Sequence, residues 1–197
     1  MRASSAPSRR HSRKTAATSG LTAVLIALIL AVPGGALETA TYEYDIKAVF
    51  LYNFTRYIQW PEAPGPAGLT ITVLGESPIL TPLREIARKR ADGPSPIVVR
   101  QCFEAGEINR PRILFIARSA LPELDRVLKL VRGTDILTVG ESEGLAARGV
   151  AVNFVERDGT IRFEVSERTL EQARIKVSSQ LLKLAIRIDE QNGGGGR

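Results

Sequence analysis

The sequence predicts an α/β fold: a mixed, largely parallel sheet with helices on both faces, closed by a C-terminal β-hairpin and a long helix. Three observations predict it. Short apolar runs of strand length alternate with helical patterns through the middle of the chain, the order that builds parallel sheets. Two alternating runs flank Asp158-Gly159, a hairpin signature. An apolar stripe at helical spacing then runs from about Glu167 to Ile188.

The elements follow in order. "AVFLYNFTRYIQWP", Ala48 to Pro61, holds five of the eleven aromatic residues of the chain. Ile46, Val49, Phe50, Phe54, Tyr57 and Ile58 recur at i, i+3, i+4 spacing, which predicts a helix from Tyr44 with those residues inward, stopped at Pro61. Tyr52 and Trp60 fall outside that stripe and stay available to a partner or to a loop that packs over them. "LTITVLG" (69–75) reads as a strand and "SPILTPLREIARKRADG" (77–93) as a helix capped by Ser77. "PIVVRQ" (96–101) and the fully apolar "RILFIA" (112–117) read as strands, the second suited to a sheet centre. "SALPELDRVLKLVRG" (119–133) is an amphipathic helix and "DILTVG" (135–140) a strand. In the hairpin, Ile161, Phe163 and Val165 face one way, and Arg162 and Glu164 face outward. In the last helix Leu170, Ala173, Val177, Leu181, Leu184 and Ile188 point inward, and Ser178 and Ser179 interrupt it.

The ends read differently from the middle. Residues 1–36 run from basic (Arg2, Arg9, Arg10, Arg13, Lys14) through the apolar "LTAVLIALILAV" to the small residues of "PGGA". That is the order of a secretory signal peptide, with cleavage expected after Ala36. An uncleaved N-terminal anchor is the alternative, although twelve apolar residues fall short of the ~20 needed to span a bilayer. Residues 42–188 are expected to form one domain, and 189–197, ending in "GGGGR", a flexible tail. All 197 residues sum to +6, but five of the 27 basic residues and none of the 21 acids lie in the leader. The remainder carries 22 against 21 and is near +1, so a nucleic-acid interface has no basic stripe to rest on.

Catalytic chemistry finds little support. "GESEG" (140–144) fits G-x-S-x-G after a strand, the context of a nucleophile elbow. Yet the one histidine is His11, in the leader, so Ser142 lacks an imidazole base, and Glu141 and Glu143 flank it. A hydrolase using Ser142 therefore ranks last. No cysteine–histidine spacing suits a metal, no glycine-rich phosphate loop is present, and no cofactor is expected. Cys102 is the single cysteine, so no disulfide forms within the chain, while a bond between two copies stays open. "NFT" (53–55) matches the glycosylation acceptor pattern, but Asn53 lies mid-helix. A ligand pocket is expected at the carboxyl ends of the strands, near Gly75, Gly140 and Ser142.

With those stretches in hand, the chain resembles the YfiR family, the DUF4154 domain. "KAVFLYNFTRYIQWP", "ITVLGESPI", "RILFIARS", "LTVGESEGLAARGVAVNFVERDGTIRFEVS" and "ARIKVSSQLLKLA" carry the resemblance in order. It implies a periplasmic, non-enzymatic α/β regulator that represses an inner-membrane signalling protein, a diguanylate cyclase in the family's namesake, and so controls cyclic di-GMP and biofilm formation. The alternative is a small-molecule sensor domain feeding a histidine kinase or a transport system. Expected partner contacts are Trp60, Tyr52, Asn153, Arg162, Glu164, Ser178 and Ser179; a homodimer is also open. Many members carry a cysteine before the "ILFI" strand and some a further pair near the hairpin. Here Pro111-Arg112 and "GVAVNFV" stand there, so redox control through intrachain disulfides does not carry over.

Overall fold

The computed structural model describes residues 35–61, 68–93 and 96–188. The expected leader lies outside them except for Gly35 and Ala36, and the expected tail lies outside entirely. The chain divides after Glu38, and the unit that begins at Thr39 carries the fold. Helix α1 (Gly35–Tyr57) leads into the short strand β1 (Ile58–Gln59). Then come β2 (Leu69–Leu74), α2 (Leu80–Lys89), β3 (Ile97–Cys102) and β4 (Ile113–Ile116). A 3₁₀ turn (Arg118–Glu123) runs into α3 (Leu124–Val131), followed by β5 (Leu137–Gly140), β6 (Val152–Arg157) and β7 (Thr160–Val165). The chain closes with α4 (Glu167–Gln172), β8 (Lys176–Val177), α5 (Ser179–Leu182) and β9 (Ile186–Arg187). Among the described residues no helix is long and apolar enough to cross a membrane.

Seven strands form one sheet in the order β3-β2-β4-β5-β6-β7-β9. The pairs from β3 to β6 are parallel, β6 and β7 are antiparallel, and β7 and β9 are parallel. The predicted mixed, largely parallel sheet is therefore present. Parallel strands need both faces covered, and β4 shows how that is met. Ile113 and Phe115 enter a core shared with Leu51 and Phe54 of α1 and Leu83 of α2. Leu114 and Ile116 enter a second core with Leu124, Val127 and Val131 of α3. The hairpin is also present, with Asp158 at φ 52° and Gly159 at φ 69°. Positive φ at both central residues matches the right-handed twist of the flanking strands.

Two elements differ from expectation. Along α1 and into β1 the buried stripe is Lys47, Ala48, Leu51, Phe54 and Ile58, whereas Val49 is 51% exposed and Tyr57 lies at the surface. Phe50 and Phe54 face inward as expected and meet Phe154 and Phe163 of the hairpin at centroid distances of 5.4–6.0 Å, while the stripe turns so that Lys47 reaches Glu141. The four rings hold the helix against the hairpin. The helix also ends at Tyr57, before Pro61, because Ile58 and Gln59 pair with Val177 and Lys176 of β8.

The expected long last helix is instead α4, β8, α5 and β9. α4 stops in a Schellman motif: Arg174 takes φ 57°, its N–H donates to Glu171 O, and Ile175 N–H donates to Leu170 O. That geometry satisfies the last carbonyls of a helix. β-branched Ile175 and Val177 then favour extended backbone, and the Ser178 hydroxyl caps α5 by accepting from Leu181 N–H. The two serines that interrupt the stripe are the start of a new element.

Candidate functional site

α1 places Glu43, Tyr44 and Lys47 over the carboxyl ends of β4 and β5. Arg118 lies two residues past β4, and Glu141 is the residue just past β5. Lys47 is 2% exposed and Glu141 3%, so their contact is a buried ion pair, Lys47 Nζ to Glu141 Oε2 at 2.7 Å. Glu43, one helical turn before Lys47, also pairs with the ammonium, and the Tyr44 ring lies under it at 4.6 Å. The second Glu141 oxygen accepts from the Arg118 N–H at 3.3 Å, and Arg118 Nη2 lies 3.7 Å from Glu43.

A buried ammonium costs several kcal/mol in desolvation unless its donors are satisfied. Two carboxylates and a ring face satisfy this one. Burial first, then the Glu141 carboxylate, push the Tyr44 hydroxyl up to about 12. Beside this group lies a cleft of about 200 Å³, rimmed by Arg118, Glu143, Glu156 and Arg157. Carboxylates and guanidinium groups both line it, so it suits a polar or doubly charged group. Ser142 is next to Glu141 and half-buried, and among the described residues no imidazole stands beside it.

The other expected pocket residues lie apart from the cleft. Gly75 ends β2 at φ 88°, and a Cβ there would meet Ser119 Oγ at 2.5 Å. Ser119 fills the place where the strand order reverses; its hydroxyl accepts from Glu76 N–H and donates to Glu76 O. Gly140 is packed under Leu145, whose Cδ1 would lie 2.5 Å from an added Cβ, with Asn153 Oδ1 at 3.1 Å. Both glycines make room for protein, and the open volume lies over Glu141 instead.

The expected partner contacts divide into two groups. Arg162 and Ser179 are exposed. Tyr52 is half-buried beneath the Arg90 guanidinium, 5.1 Å away. Trp60 is half-buried against the core, and its Nε1 is buried with no hydrogen-bond partner among the described residues. In contrast, Asn153 is fully buried and Glu164 is 8% exposed. Asn153 Nδ2 donates to Glu164 Oε2 at 3.0 Å, and Arg157 Nη2 lies 3.8 Å from Glu164 Oε1. Glu164 therefore does not face outward as the strand alternation suggested. This side of the hairpin is covered at Asn153 and Glu164 and open at Arg162, so period-2 alternation marks a polar buried pair at the covered end. Ser178 is occupied as a helix cap. Cys102 is 6% exposed at the end of β3, and burial, then the Glu107 carboxylate, raise its thiol pKa.

Sequence reasoning passed over Lys47, Glu43, Glu141 and Arg118. The available signal was Lys47 itself: it repeats with Leu51, Phe54 and Ile58 at helical spacing, a charge on an apolar stripe.

No curated protein matches the chain. Among solved structures, the ABC domain in complex with L-Trp from Streptococcus pneumonia is 10% identical with a TM-score of 0.47; the match covers 63% of this chain and 56% of that one. A conserved domain protein from Vibrio cholerae is 8% identical with a TM-score of 0.46, covering 74% and 60%. The chain thus spans less than two thirds of either. Residues 44–186, from the tyrosine beside Lys47 to the first residue of β9, match the DUF4154 family, described as YfiR/HmsC-like, and the chain belongs to that family.

Proposed function

We propose that the protein is a periplasmic regulator without catalysis of its own. It binds the periplasmic part of an inner-membrane signalling protein, a diguanylate cyclase, and holds its output down. The observation that carries this reading is the family match across residues 44–186. The site chemistry agrees with it. The strongest polar constellation is an ion-pair cluster whose members satisfy one another, with no nucleophile–base pair among the described residues. The contact surface in this reading comprises the accessible expected residues: Tyr52, Trp60, Arg162 and Ser179. Trp60 is its anchor, since aromatic side chains at interface centres carry much of the binding energy.

The test is cross-linking in living cells, with a photoreactive residue placed at Arg162 or Ser179. Cross-links to a membrane protein with a cyclase output domain are expected, and they should weaken when Trp60 is replaced by alanine. Cross-links confined to a histidine kinase would redirect the reading to the sensor alternative. That alternative draws on the cleft over Glu141, and a ligand that stabilises the protein and loses its effect in Arg118→Gln would favour it.

A further inference from the structure

Helix α1 carries a second stripe, on the side away from Lys47. Tyr42, Ile46, Val49, Asn53 and Arg56 recur at alternating spacings of four and three residues, the period of a helix–helix seam. Tyr42 is 68% exposed and Val49 51%. Asp45 and Arg56 are exposed, and Ile46 and Asn53 are half-buried. Single exposed apolar residues are ordinary on a protein surface. Here they are aligned along one helix whose opposite face already packs into the core through Leu51 and Phe54. The stripe also has a direction. Asp45 stands towards its amino end and Arg56 at its carboxyl end, ~16 Å apart along the helix axis. Neither forms an ion pair among the described residues.

We propose that this face is an interface with a second copy of the chain, in which two α1 helices pack antiparallel about a two-fold axis near Val49. A two-fold contact must be self-complementary, and the stripe is so in one orientation. Antiparallel packing brings the Tyr42–Asp45 end of each helix against the Asn53–Arg56 end of the other. Each Asp45 then faces an Arg56, and the Tyr42 ring is offered to the same guanidinium. Parallel packing would set each Asp45 and each Arg56 against its own copy, and like charges so placed reject that arrangement. Between the charged ends, Ile46 and Val49 are withdrawn from water, which supplies the affinity. The charges supply the orientation. Asn53 is the polar member of the seam, a position that fixes register at some cost in stability. One helix pair lies at the low end of specific interfaces, so the dimer should form and dissociate with concentration. The proposal stands whether or not the chain restrains a cyclase.

The test is sedimentation equilibrium of the purified protein over a range of concentrations, in which a monomer–dimer equilibrium is expected. Val49→Glu changes an exposed position and should weaken the dimer at least tenfold while thermal unfolding stays at the parent's. Asp45→Arg and Arg56→Asp should each weaken it several-fold. The double variant should recover it, and so should an equimolar mixture of the two single variants, as a heterodimer. Val49→Cys should cross-link to its own copy under mild oxidation, whereas Leu130→Cys, equally exposed on α3, should not. A monomer at every concentration would overturn the proposal and give the stripe to a different protein. A dimer that survives Val49→Glu would also overturn it, by placing the contact on another face, such as the edge strand β3. So would charge variants that fail to rescue one another.

Discussion

Replacing Lys47 by methionine keeps the volume and the apolar stem of the side chain but removes the ammonium that Glu141 and Glu43 share. Glu43 is partly exposed and can turn to water. The Glu141 side chain is 1% exposed and cannot. Its remaining partners at the carboxylate are neutral, the Arg118 N–H at 3.3 Å and the Tyr44 hydroxyl. Stranding one member of a buried pair costs ~3–5 kcal/mol. That is two to nearly four decades in the folding equilibrium at ~1.4 kcal/mol each. In a domain of this size each kcal/mol moves the midpoint ~2–4 °C, so thermal unfolding should come about 6–20 °C earlier. Urea titration at neutral pH, with an unchanged slope, gives the free energy directly. The double variant Lys47→Met/Glu141→Gln strands no charge and should regain most of the loss. A loss below ~1 kcal/mol in the single variant, or a double variant less stable than the single one, would refute the view that the pair is buried and mutually dependent.

Three further outcomes are expected. Tyr44 should ionise late, near pH 12; Tyr44→Phe removes that late step from an absorbance titration at tyrosinate wavelengths. Because the folded-state value is raised above the unfolded ~10, this group's contribution to stability is complete below pH 10. It declines as pH rises towards 12. The Cys102 thiol, buried at the end of β3 with a raised pKa, should react with a thiol reagent only as fast as the protein opens. A non-reducing gel should show monomer alone; rapid labelling or a covalent dimer would contradict its burial. Gly75→Ala forces a Cβ to within 2.5 Å of Ser119 Oγ at φ 88° and should cost more than ~1 kcal/mol, read as a lower unfolding midpoint.

The sheet was legible because its signals are local. Four-to-six-residue apolar runs such as "ILFI" between helical patterns leave few alternatives, and Asp158-Gly159 names its own turn. The rotation of α1 was not legible, since Val49 and Leu51 are equally apolar. The face carrying Leu51 also carries Lys47, whose partner Glu141 lies 94 residues away. The last helix misled for a similar reason. Leu170, Ala173, Val177 and Leu181 fit a helical period, but Arg174 adopts a left-handed conformation that glycine usually signals, and no glycine is there. The carboxyl-end placement of a cleft followed from the parallel sheet. Its residues did not, because Glu43–Lys47 and Glu141 are joined only by folding. Asn153 and Glu164 were expected as partner contacts on the hairpin, but they are buried and their polarity serves each other inside the protein.

In the proposed function this chain restrains a cyclase from the far side of the inner membrane. The most direct measurement is cellular cyclic di-GMP in a strain lacking the gene, complemented either with the full chain or with one lacking residues 1–36. A rise on deletion is expected, reversed by the full chain and not by the truncated one. Cyclic di-GMP that stays at the parental level in all strains, or that the truncated chain lowers equally well, would contradict it.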